Sequence, residues 1–106
     1  SLNKKLKYVH FAQNIMVERV VRVYVEFAKE HGFKPPVLKE IIFLRNKGYS
    51  NVDIAGEVGI SRNTVSSYLE KMARMHDEQL AELLSLVALM HLRQKRFIRE
   101  VFQQLE

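Results

Sequence analysis

The sequence predicts an all-α fold in which a trihelical core is flanked by long N- and C-terminal helices. Three observations carry that expectation. Apolar residues recur at three- and four-residue steps through residues 2–31 and again through 77–106. Glycines at 32, 48 and 59 fall at the ends of periodic runs, as helix stops do. Two serines, Ser50 and Ser61, each open a short helical pattern, one on either side of Gly59.

In chain order, the first element is a helix over residues 2–31. Leu2, Leu6, Val9, Met16, Val20, Val23 and Phe27 mark its apolar face, and Gly32 with Pro35-Pro36 ends it. Within it, "VVRVYVEF" alternates like a strand, and β-branched residues favour strands. A lone strand leaves its backbone donors unmet, and no second candidate exists to pair with it, so helix is the expectation. Val37 to Lys47 follows as a helix with Leu38, Ile41, Ile42 and Leu44 on one face and Gly48 as its stop. Ser50 and Asp53 have capping-box spacing and start a helix at about Asn51. Ile54 and Val58 face inward, with small Ala55 where a neighbouring helix must come close. Gly59 supplies a positive φ for a sharp corner, Ile60 plugs it, and Ser61 caps the next helix. Val65, Leu69 and Met72 form that helix's inner stripe, with Tyr68 beside them.

The final block, 77–106, reads as one long helix with Asp77 as N-cap. Leu80, Leu83, Leu84, Val87, Met90, Phe97, Ile98, Val101, Phe102 and Leu105 give a broad apolar band, and Arg93, Lys95, Arg96 and Arg99 make its middle a solvated basic face. The sequence leaves open whether the chain breaks near residue 75 or runs on from the preceding helix. A chain of 106 residues suits one domain, organised as 2–31, 37–75 and 77–106.

Composition narrows the function classes. Hydrophobic residues make up 47% and charged residues 27%, the balance of a chain that folds. The absence of cysteine excludes a disulfide framework and cysteine-ligated metal. No apolar run approaches the ~20 residues that span a bilayer. The basic N-terminus lacks the apolar block of a signal peptide, so a cytoplasmic location and no membrane partner are expected. The net charge of +5 is carried by the first two thirds of the chain and favours a polyanionic partner. His10, His31, His76 and His91 include no pair at metal-site spacing, and no nucleophile motif or glycine-rich phosphate loop is present. No catalysis, metal or cofactor is therefore expected.

Two short helices joined by a glycine turn form a helix-turn-helix. Opposite the inner stripe of its second helix, Ser61, Arg62, Asn63, Ser66, Ser67 and Glu70 make a polar face. A major groove about 12 Å wide admits one helix, and arginine pairs with guanine, asparagine with adenine, and serine or threonine with either. Ser61, Arg62, Asn63, Thr64, Ser66 and Ser67 are thus the candidate DNA-reading residues. Lys47, Tyr49, Ser50 and Asn51 are candidates to hold the phosphate backbone without reading sequence.

The stretch "GYSNVDIAGEVGISRNTVSSYLEKM" resembles the helix-turn-helix of LuxR-type regulators and of region 4 of primary sigma factors. Gly48, Ser50, Asn51, Ile54, Ala55, Ile60, Ser61, Thr64 and Val65 match the pattern. Tyr68 stands where histidine is frequent, and Gly56 departs at about 1 kcal/mol against alanine. The resemblance covers residues 38–72 and implies sequence-specific duplex-DNA binding and transcriptional control. It covers neither long helix. The family's fourth helix is absent, so its dimer mode does not carry over.

The long helices, each about 45 Å at 1.5 Å per residue, exceed what the trihelical unit can cover. They must pack on each other, on a second copy, or on both, and the expectation is a homodimer through the first and last helices. Such a dimer reads half-sites about 34 Å apart. Two other readings fit the sequence: a plasmid-partition or chromatin-organising DNA-binding protein, and a protein-protein interaction module of the transcription machinery. The sequence does not identify an effector.

Overall fold

In the computed structural model, residues 2–91 and 95–105 are described, with side chains for 15–91 and 98–105. Among the described residues six helices follow one another: α1 Leu2–Glu30, α2 Pro35–Asn46, α3 Asn51–Val58, α4 Arg62–Ala73, α5 Asp77–Met90 and α6 Lys95–Gln104. No strand occurs among the described residues. Nor, among them, is any helix long and apolar enough to cross a membrane.

The strand-like alternation at residues 20–27 is resolved as helix. Val21 and Val25, one turn apart, are buried with Tyr24 and Ala28, whereas Val23 faces outward. Only a 3.6-residue period sorts these side chains that way. The buried stripe is not the one the spacing predicted. Val20 and Phe27 are only half-buried and Met16 and Val23 are exposed. The side chains of Leu2, Leu6, Val9 and His10 lie outside the described residues.

α1 ends where Gly32 takes φ 76°. The amide of Phe33 then donates to the Ala28 carbonyl at 2.8 Å and that of Gly32 to Lys29 at 3.1 Å, a paired closure of the last turn. The same closure recurs at the end of α2, through Tyr49 to Leu44 and Gly48 to Arg45. α2 begins at Pro35 rather than Val37, because proline at the first helical positions loses no needed hydrogen bond.

The predicted single helix over 77–106 is two helices, α5 and α6, and α4 is separated from α5 by a turn at residues 74–76. The N-cap of α5 is His76, which makes no side-chain cap bond, and Asp77 is the first helical residue rather than the cap. Arg93 lies outside the described residues, as do the side chains of Lys95, Arg96 and Phe97. The described apolar side chains of α6 are covered within the chain. Ile98, Val101 and Phe102 are buried, and the Phe102 ring lies 6.1 Å from that of Tyr24. α1 packs against α2, α5 and α6, α2 against α3 and α5, and α3 against α4. One continuous core results, and α2, α3 and α4 form the trihelical unit on its flank.

Candidate nucleic-acid interface

The corner between α3 and α4 is built from local chemistry. The Ser50 hydroxyl accepts from the Asp53 amide at 3.2 Å, and the Ser61 hydroxyl accepts from the Thr64 amide at 3.1 Å. Each cap satisfies one of the donors that a helix start leaves unpaired. Gly59 sits at φ 79°, and the amides of Gly59 and Ile60 both donate to the Ala55 carbonyl, at 2.9 and 3.1 Å. The chain therefore turns the corner within three residues, 59–61.

From this corner α4 runs for 12 residues. Val65 and Tyr68 are its buried side, at 0% and 8% exposure, and Leu69 and Met72, expected inside, are half-buried at the edges. Arg62, Asn63, Ser67 and Glu70 point to solvent, while Thr64 and Ser66 are half-buried beside them. The outer face of α4 is not packed into the molecule. Ser61 and Thr64 also join side chain to side chain at 2.9 Å, so both take part in the cap.

The other predicted residues lie at the α2–α3 junction. Tyr49 and Ser50 are exposed, as is Lys47, whose ammonium stands 4.3 Å over the Phe43 ring. Asn51 is half-buried, and its Oδ1 accepts from Arg45 Nη1 at 3.3 Å. Arg45 was missed by the sequence reading. It is exposed in the last turn of α2 and reaches across the junction to α3, six residues away, a separation that no single-helix pattern displays.

A second feature was also missed. Beyond the far end of α4, an open cleft of about 550 Å³ is lined by His31, Lys71, Arg74, Met75, His76 and Gln79. Among the described residues, none lining it is acidic. Lys71 donates to the Gly32 carbonyl at 3.3 Å, which leaves an ammonium two further N–H donors. Arg74 approaches Glu70 only to 4.0 Å, with both side chains largely exposed, so that pair contributes little. Lys71 comes from α4, Arg74, Met75 and His76 from the turn after it and Gln79 from α5, and only the fold brings His31 of the α1–α2 turn to them.

Two hydroxyls hold the trihelical unit to α1. Tyr24 of α1 donates to the Pro35 carbonyl, and burial pushes its hydroxyl pKa well above the usual tyrosine range. From α4, Tyr68 accepts from the Lys34 amide. Its ring meets Phe33 edge-on at 4.9 Å.

Residues 41–76 match the family model described as winged helix-turn-helix DNA-binding. The match runs from within α2 to the turn after α4, and geometry and match agree on a helix-turn-helix unit similar to DNA-binding ones. No strand follows α4 among the described residues, and α5 begins where the match ends. No curated protein and no solved structure is matched by the chain.

Proposed function

We propose that the chain is a sequence-specific duplex-DNA-binding transcriptional regulator that acts as a homodimer. The observation that carries this reading is the solvent-facing polar side of α4, bearing Arg62, Asn63 and Ser67 on a helix capped at its start and anchored from behind. Small polar side chains let a helix sit deep in the major groove, and arginine and asparagine there read guanine and adenine. In this reading Ser61, Thr64 and Ser66 lie beside the base-reading pair, and Lys47, Tyr49, Ser50 and Asn51 meet the phosphate backbone, with Arg45 added to them. An interface made for another protein would favour large apolar groups on that face. The LuxR-like pattern over residues 38–72 supports the regulatory assignment.

The same face supports a longer contact with phosphate. Asn63 and Arg74 are eleven residues apart, just over three helical turns, so Arg74 continues the outer stripe about 16 Å further along. That distance exceeds the ~12 Å groove. The Lys71–Arg74–His76 cleft therefore meets the far phosphates when the start of α4 reads bases.

Dimerisation is supported by exposed apolar residues on α1 and α5: Met16, Val23, Leu84 and Leu89. α6, by contrast, spends its apolar side on its own chain. Selection from a random-oligonucleotide pool at fixed salt tests the reading. Enrichment of a two-fold repeated motif, with half-sites about 34 Å apart, is the expected result. Recovery of no motif, or no retention of duplex at all, overturns it.

A further inference from the structure

We propose that the recess between α6, the end of α1 and the start of α2 is a binding site for a small apolar carboxylate. The body of the ligand lies in the recess and its charge meets Lys29 and Lys34. The proposal stands on the recess alone and does not depend on the DNA reading.

The recess is partly enclosed and has a volume of about 260 Å³. Val25 of α1 and Phe102 of α6, both buried, line it together with Leu105, half-buried just beyond α6. Pro35, Pro36 and Val37 line it from the first turn of α2. Protein interiors are close-packed. Here three helices bring apolar side chains together and leave room for one further apolar group. Water in such a space finds few hydrogen-bond partners, and its displacement by an apolar group is favourable.

Volume limits the ligand. A dry cavity of about 150 Å³ holds benzene, and pockets for drug-sized ligands begin near ~300 Å³, so this recess suits a single ring or a chain of about eight carbons.

The polar part of the lining fixes the sign of the ligand. Lys29 and Lys34 are both exposed, and among the described residues no acidic side chain lines the recess. Neither lysine has an ion pair among the described residues. Lys29 donates to the Leu105 carbonyl at 3.4 Å, a long bond that leaves its ammonium two further N–H donors. The start of α2 has the same sign. Its N-cap, Lys34, makes no side-chain cap bond, and no acid lies in its first turn to offset the positive end of the helix. A neutral alkyl group would leave both ammonium groups unused, and a cation would be repelled by them. A carboxylate brings two oxygens, each able to accept a charge-assisted bond from an ammonium. An apolar carboxylate therefore answers both halves of the lining.

Calorimetric titration of the full chain with sodium octanoate, 1-octanol and octylamine tests size and sign together. Octanoate is expected to bind one to one, about tenfold more tightly than 1-octanol, the worth of one charge-assisted bond. Octylamine is expected to bind more weakly than either. Lys29→Gln and Lys34→Gln together should bring octanoate down to the affinity of 1-octanol and leave 1-octanol unchanged. Leu105→Trp, which fills the recess from its half-buried edge, should abolish uptake of both with unchanged helical content. If that variant loses helical content, Val37→Phe fills the recess from α2 and should have the same effect on uptake. Equal affinity for octanoate and 1-octanol overturns the carboxylate assignment. Octanoate binding that survives both the filled recess and the paired lysine change overturns the location. Uptake of none of the three probes overturns the recess as a site. Octanoate affinity that falls as protein concentration rises gives the recess to a second copy and overturns the small ligand.

Discussion

The Tyr68 hydroxyl accepts a hydrogen bond from the Lys34 amide at 3.0 Å, tying the buried side of α4 to the turn between α1 and α2. The two residues are 34 positions apart, and their contact sets how α4 is presented. Tyr68→Phe keeps the ring against Phe33 but leaves that amide unpaired. The expected loss is about 1 kcal/mol, seen as a fall of roughly 4–8 °C in melting temperature. An unchanged melting temperature would show that water replaces the hydroxyl without cost.

Two glycines of α3 and its corner should respond in opposite directions to the same substitution. At Gly56 and at Gly59 an added Cβ meets nothing within 4 Å, so space decides neither case. Gly56 lies inside α3, and alanine there should stabilise by about 0.5–1 kcal/mol. Gly59 holds φ 79°, and alanine there should destabilise by about 1–2 kcal/mol. Urea midpoints moving apart at constant slope are the expected readout.

On the proposed DNA reading, Arg62→Ala should cost about 1–3 kcal/mol on the selected site and flatten the preference at one base position. Lys47→Ala should weaken binding on all sequences alike and reduce the salt slope by about 1. Titrations at four salt concentrations, on selected and scrambled duplexes, separate the two. If neither variant changes affinity, the DNA-contacting face has been misassigned.

Arg74→Ala tests the far end of α4. Its side chain is largely exposed and its one ion pair is long, so stability should change by less than about 0.5 kcal/mol. The salt slope should still fall by about 1, with base preference intact. A slope equal to that of the unaltered chain would confine phosphate contacts to the α2–α3 junction.

Much of the helix-turn-helix was readable before any coordinates, because its signals act over three to five residues. Ser50 and Ser61 bond amides three positions on, and Gly59 closes back onto Ala55. The exposed face of α4 follows from the same short periodicity. The split of 77–106 was not readable, since neither glycine nor proline interrupts it and a largely polar run between Met90 and Phe97 suits an exposed helix turn as well as a break. The far-end cleft was hidden because it forms only where the fold brings His31 of the α1–α2 turn to the stretch 71–79.

α1 shows most clearly where sequence reading stops. Its pattern establishes a helix and supplies two apolar stripes of similar quality, with nothing local to rank them. Which stripe goes inside depends on the helices it meets. α2, α5 and α6 close over Val21, Tyr24, Val25 and Ala28, and the Tyr24 hydroxyl reaches Pro35 from that side alone. Caps, corners and helical periods are short-range free energies that each segment carries within itself. The choice between faces is a long-range one, made by the apolar area that neighbouring helices remove from water.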